Sequence, residues 1–167
     1  MEEWKEYSIG DICSSVCSGG TPSCKHSEYY DGIISWLNTK EINFNRIYST
    51  EKFITEEGLN NSSAKWIKEN AVIVAMYGAT AGKTAIAKIP LTTNQACCNL
   101  SINPKFADYR FVFYYLCNKF VELWKSRDIF FTFYRSFFTR NPFFCAKTFS
   151  LRNKSDFFYL FHHYLKK

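Results

Sequence analysis

Ala71–Gln95, AVIVAMYGATAGKTAIAKIPLTTNQ, is the stretch on which the fold of this chain turns. An apolar run from Ala71 to Tyr77 enters a turn of small residues, Gly78-Ala-Thr-Ala-Gly82, and the chain leaves as Lys83-Thr-Ala-Ile-Ala-Lys88. β-Branched residues dominate both arms, and the two glycines supply the positive-φ backbone that a tight connection needs. A buried hairpin is therefore expected. The polar Thr92-Thr93-Asn94-Gln95, following Pro90, reads as an exposed loop.

A phosphate-binding loop is the competing reading, because Gly-Ala-Thr-Ala-Gly-Lys-Thr approaches the pattern G-x-x-x-x-G-K-[ST]. Gly78 and Gly82 enclose one residue too few, and Tyr77 stands where the first glycine belongs. Such a loop must also open a helix whose N–H groups face phosphate, whereas the chain after Lys83 is β-branched and soon meets Pro90. A nucleotide-binding enzyme using Gly78–Thr84 stays as the alternative function.

Working outward, Ser8 and Asp11 are spaced like a capping box ahead of Ile12, Cys13 and Val16, which predicts a short helix. Ser18-Gly-Gly-Thr-Pro-Ser23 is punctuated too strongly to be anything but a loop. Gly32–Leu37 reads as a strand with the polar Asn38-Thr39-Lys40-Glu41 at its exit, and Thr55 reads as the N-cap of a brief helix ended by Gly58. Lys65–Asn70 is a turn feeding the hairpin. Asn99–Asn103 is a further strand stopped by Pro104. Asp108 caps a helix from Tyr109 to about Ser126, with Val112, Leu116, Phe120 and Leu123 forming an apolar stripe against the sheet. The expected fold class is α+β, a mixed or antiparallel sheet with a few helices.

Composition divides the chain near Ser126. Residues 1–126 hold thirteen Lys/Arg and thirteen Asp/Glu, so the whole formal charge of +6 comes from 127–167, which also holds eleven of the 17 phenylalanines. The doublets Phe130-Phe131, Phe137-Phe138, Phe143-Phe144 and Phe157-Phe158 follow neither helical nor strand periodicity. The expected organisation is one domain over 1–126, incomplete at its C-terminal end, and a Phe-rich basic tail over 127–167. Asn141-Pro142-Phe143-Phe144 approaches the N-P-P-[YF] signature of amino-methyltransferases, but the second Pro is Phe and no glycine-rich cofactor loop precedes it.

Seven cysteines at uneven spacing, with no C-x-x-C pair, are expected to be reduced and buried rather than metal-bound. No apolar run reaches the roughly 18 to 20 residues of a membrane span, and the start, Met1-Glu-Glu-Trp-Lys-Glu6, is charged where a secretory signal would be apolar. A soluble cytoplasmic protein is expected.

Six pieces occur in a telling order: Trp4…Gly10-Asp11-Ile12; Ser18-Gly19-Gly20-Thr21-Pro22-Ser23; Tyr29-Tyr30-x-Gly32-x-Ile34-x-Trp36-Leu37; Ile54-Thr55-x-x-Gly58-Leu59-x-x-Ser62-Ser63-Ala64; Gly78-Ala79-Thr80-x-Gly82-Lys83; and Thr92-Thr93-Asn94-Gln95. In this order the chain resembles the target recognition domains of type I restriction-modification specificity subunits, over roughly Trp4 to Ser126. The resemblance implies a non-catalytic domain that binds double-stranded DNA and reads one half of a bipartite target. It also implies as partners a DNA methyltransferase subunit using S-adenosylmethionine and a restriction/translocase subunit using ATP and Mg, with no cofactor on this chain itself. Full subunits of the family resemble two such domains joined by long helices. One domain is present here, which suggests a truncated product, and the Phe-rich tail is the kind of sequence that a shifted reading frame yields.

Base readout needs paired donors and acceptors, whereas phosphate contact needs only a cation or a donor. The candidate DNA-binding residues are Gly19, Gly20, Thr21, Asn38, Lys40, Thr80, Lys83, Thr93, Asn94 and Gln95. Glycine permits close backbone approach, but turn geometry is the role expected of Gly19 and Gly20. Asn94 and Gln95 carry base-reading chemistry but equally tie loops together. Lys40 and Lys83 neutralise phosphate or are simply solvated.

Overall fold

A computed structural model describes residues 7–120. The Trp4 end of the resemblance, Leu123, the 127–167 tail and its Asn141-Pro142-Phe143-Phe144 all lie outside the described residues, whereas the helix expected from Tyr109 to about Ser126 already closes at Asn118, with Lys119 as its C-cap.

The expected hairpin is present. Strands β5 (Val72–Ala75) and β6 (Thr84–Ala87) pair antiparallel through Val72↔Ile86, Ile73↔Ala85 and Val74↔Thr84. Gly78 and Gly82 sit at φ of 83° and 81°, and the turn closes with Ala75 N–H donating to Lys83 O at 2.9 Å and Gly82 N–H to Ala75 O at 2.8 Å. A strand leaves Gly82 rather than a helix, so the cradle of helix N-terminal N–H groups that a Walker loop requires does not form.

Three further strands extend this hairpin into a five-stranded sheet of order β1-β8-β5-β6-β3, with β1 at Cys13–Ser18, β8 at Cys97–Ile102 and β3 at Asn45–Ile47. A second sheet has the order β4-β2-β7, with β4 at Lys52–Ile54, β2 at Tyr30–Leu37 and β7 at Thr92–Thr93. β3 runs parallel to β6 and β7 parallel to β2, whereas the other pairings are antiparallel. With the short helix α1 (Glu56–Asn60) and the longer α2 (Tyr109–Asn118), the class is α+β, as expected.

The large sheet is covered on both faces, which is why its central strands read as an unbroken apolar run rather than an alternation. Val72, Val74, Ile86, Cys98 and Leu100 pack with Val112, Phe113, Tyr115 and Leu116 of α2. Ile73, Ala75, Ala85, Ala87 and Cys97 face the other way, against Leu37, Ile42, Ile67 and Leu91. This second layer joins the two sheets and carries the candidate loops. No helix among the described residues is long and apolar enough to cross a membrane.

Three local expectations are corrected. Ser8 and Asp11 do exchange capping-box bonds, Ser8 N–H to Asp11 Oδ2 at 3.0 Å and Asp11 N–H to Ser8 Oγ at 3.3 Å, but these close a turn that leads into β1 rather than a helix. Too few apolar positions follow to repay helix nucleation, whereas the β8 edge pairs with Cys13 and, after a register shift, with Ser15–Ser18.

Gly58 does not end α1 but lies inside it, where a Cβ would stand 2.4 Å from Tyr29 O, so the glycine serves close approach to Tyr29. Thr55 is the N-cap as expected, its Oγ1 accepting from Gly58 N–H at 3.1 Å.

Thr92 and Thr93 are not in an exposed loop. Both are fully buried as β7, with Thr92 Oγ1 donating to Ser35 O at 3.0 Å and Thr93 Oγ1 accepting from Asn99 Nδ2 at 2.9 Å. Hydroxyls satisfied internally in this way bury at little cost, which composition alone does not reveal.

Candidate nucleic-acid interface

Seven of the ten candidate residues converge in one knot of loops. The segment after β1 threads between β7 and the chain after α1 with almost no clearance. A Cβ on Gly19 would lie 2.0 Å from Thr93 O, and one on Gly20 would lie 2.3 Å from Ala64 N. Neither glycine has positive φ, so here glycine serves close approach rather than turn geometry. Gly20 N–H donates to Thr93 O at 2.9 Å, and Trp36 Nε1 donates to Gly20 O at 3.0 Å, which fixes the loop to both β7 and β2.

Asn94 occupies the exit of β7. Its N–H donates to Leu37 O at 3.0 Å and its Oδ1 accepts from Ala96 N–H at 3.2 Å and from the Cys97 thiol at 3.3 Å. Its Nδ2 donates to Asn38 Oδ1 at 3.3 Å. Of the two roles left open for Asn94, tying loops together is the one this geometry performs. Asn38 Nδ2 is buried without a hydrogen-bond partner among the described residues. Gln95 and Thr21 stand exposed at the rim, where the Thr21 hydroxyl donates to Gln95 Oε1. These two side chains present amide and hydroxyl chemistry to solvent from a fixed backbone.

Lys40 lies beside the knot, on the one-turn 3-10 segment Thr39–Glu41, and pairs with Glu51 at 2.6 Å. The hydrogen bond to the Glu51 carboxylate raises the lysine pKa, so Lys40 keeps its charge. Both partners are well exposed, so the pair adds little to stability.

Thr80 and Lys83 belong to the hairpin turn, outside the knot. Thr80 contributes its carbonyl to Lys83 N–H at 2.9 Å, and Lys83 Nζ donates to Asn43 Oδ1 at 2.9 Å. The ammonium group is thus held at the surface, poised for an anion but not committed to a carboxylate.

Sequence reasoning missed three residues that arrange these candidates. Glu41 accepts from Asn38 N–H and from Glu51 N–H, both at 2.9 Å, one carboxylate oxygen each. Asn38-x-x-Glu41 has the spacing of a capping box, a signal that was available. Asn43 and Glu51 left none, because their partners lie far along the chain or around a turn.

Burial pushes the Cys97 thiol beneath the knot up to about 12, with the Thr93 hydroxyl lowering it only in part, so Cys97 stays a neutral donor to Asn94. Cys98 is buried too, whereas Cys24 departs from the expectation of buried thiols and is exposed.

A sequence profile described as the type I restriction modification DNA specificity domain matches residues 1–127. The chain belongs to that family. Among curated relatives, the MjaIX type I restriction enzyme specificity subunit of Methanocaldococcus jannaschii is 36% identical over 102 residues, 59% of this chain and 23% of the relative. An Escherichia coli type I restriction enzyme specificity subunit is 34% identical over 97 residues, 56% of this chain and 23% of that one. The specificity domain described here thus spans about a quarter of the length of the curated relatives it matches. Its fold matches the crystal structure of the HsdS subunit from Thermoanaerobacter tengcongensis with a TM-score of 0.57 at 17% identity, covering 74% of this chain and 29% of that one. Membership places the chain in a family of DNA specificity domains, and the knot of motif residues ties its loops together.

Proposed function

We propose that this specificity domain binds double-stranded DNA and reads one half of a bipartite target within a type I restriction-modification complex. The chemistry is left to others: a methyltransferase subunit that brings S-adenosylmethionine and a restriction/translocase subunit that brings ATP and Mg.

The observation that carries the reading is the division of labour within the motifs. Gly19, Gly20, Asn38, Thr93 and Asn94 are consumed in fixing the loops to one another, while Thr21, Gln95, Lys40 and Lys83 are held outward on that frame. Preorganised amide and hydroxyl groups suit base edges, and the two ammonium groups suit flanking phosphates. The family match to a DNA specificity domain supports the same reading.

The test is duplex binding by the chain assembled with its methyltransferase subunit, followed by fluorescence anisotropy across a salt titration. Binding should weaken with salt, and Lys83→Ala should flatten the slope of log K against log salt by about 0.9, equally for all sequences. Gln95→Ala should instead alter the preference among targets. An assembled complex that binds duplex no better than the methyltransferase subunit alone would remove the proposal.

A further inference from the structure

The segment after the knot holds a surface that no motif singled out. Ile67 is pinned to the strand entering β7, its N–H donating to Leu91 O at 2.7 Å and its O accepting from Leu91 N–H at 3.1 Å, with its side chain in the core. Just upstream, Ser63 and Ala64 lie against Gly20 with no room for a Cβ between them. Residues 65–66 are therefore held between two anchors, both of which belong to the same frame as Thr21 and Gln95.

Lys65 and Trp66 on this short bridge, and Lys68 just past the Ile67 anchor, all stand in solvent, Trp66 with 52% of its surface exposed. A tryptophan left this open beside a well-filled core, on backbone that is fixed rather than loose, is placed for contact with something else. Burial pushes the Cys17 thiol up, and the charge of Lys65 opposes that push. The nearby carboxylate, Glu69, is directed to Lys88 at 3.6 Å.

We infer that Lys65, Trp66 and Lys68 grip the sugar-phosphate backbone of the duplex that Thr21 and Gln95 read. The two ammonium groups sit on phosphates, the indole face covers a deoxyribose, and its Nε1–H donates to a phosphate oxygen. The inference rests on the DNA-binding reading and adds to it the surface that sets register. The chemistry of the patch selects the partner: three donor groups, two of them cationic, and no acceptor among the three side chains fit a polyanion. It also selects backbone over bases, because lysine is a point charge without the bidentate fork that discriminates one base from another.

The experiment uses the full chain assembled with its methyltransferase subunit and a pool of random-sequence duplexes, so that no target need be known. Lys65→Ala/Lys68→Ala should flatten the salt slope by about 0.9 for each lysine removed and weaken all sequences alike. Trp66→Ala should weaken binding several-fold, Trp66→Phe less, because the ring is kept and only the N–H is lost. DNA should quench a component of tryptophan fluorescence that is missing in Trp66→Phe. Urea midpoints should stay at the wild-type value, since Ile67 and its anchors are untouched.

If the wild-type complex binds with a salt slope that the double variant retains, this inference is wrong and the proposed function stands. If Trp66→Ala releases the methyltransferase subunit and leaves the slope intact, the patch is a protein interface instead. A wild-type complex with no salt-dependent binding overturns both.

Discussion

Replacing Gly19 with alanine tests the frame directly. The added Cβ would meet Thr93 O at 2.0 Å, Thr93 Oγ1 at 2.2 Å and Asn94 O at 2.4 Å, where ordinary contact begins near 3.4 Å. Two of these atoms are backbone of β7 and its exit, held by the ladder to β2 and by Asn94 N–H on Leu37 O, so neither can swing aside. Overpacking a tight site costs about 1–3 kcal/mol. Driving the loop off β7 also breaks Gly20 N–H to Thr93 O, and a buried bond left open costs about 1–3 kcal/mol more. The expected loss is about 2–6 kcal/mol, a large share of the roughly 5–15 kcal/mol that holds a domain folded. At roughly 4 °C per kcal/mol for a domain near this size, the melting temperature should fall by about 8 °C or more. Gly78→Ala is the matched control, because it has φ of +83° but nothing within 4 Å of a new Cβ. It carries only left-handed strain, about 1–2 kcal/mol. Urea unfolding of the full chain, followed by tryptophan emission, reads both variants, since Trp36 donates its indole N–H to Gly20 O and reports on this loop. A Gly19→Ala midpoint equal to or above that of Gly78→Ala would refute the argument that close approach, not turn geometry, requires the glycine.

Four further outcomes follow from the same structure. Asn94→Ala leaves the Ala96 N–H, the Cys97 thiol and Asn38 Oδ1 without their partner and should destabilise by about 1–3 kcal/mol in the same urea assay. Asp108→Ala removes the N-cap of α2, at a cost of about 1 kcal/mol. The hydrogen bond from Arg110 holds the Asp108 carboxyl below the usual carboxylate range, so its stabilisation is full above the unfolded pKa and lost as pH falls through the lower folded value. Asp108→Asn, which keeps an acceptor but cannot ionise, should therefore flatten the acid side of the stability curve, measured by thermal melts between neutral and acid pH. Finally, iodoacetamide with mass spectrometry should label exposed Cys24 in the native chain but Cys97 and Cys98 only after unfolding, because both are buried and Cys97 stays protonated below about 12.

The signals within a dozen residues of one another were legible from the chain alone. β-Branched arms around Gly78 and Gly82 determined the hairpin, Thr55 and Asp108 determined their helix starts, and the order of six motifs determined the family. The tertiary structure decided what those motifs do. Thr92 and Thr93 look like loop residues until β2 arrives, in parallel register, to receive them, and Ser8–Asp11 looks like a helix start until β8 offers Cys13 an edge. Asn94 meets Asn38 across 56 positions and Lys83 meets Asn43 across 40, contacts that leave no local periodicity or composition to read. Hydrogen-bond satisfaction and exclusion of a Cβ are properties of what surrounds a residue, so the division between frame and outward-facing reader exists only in the folded chain.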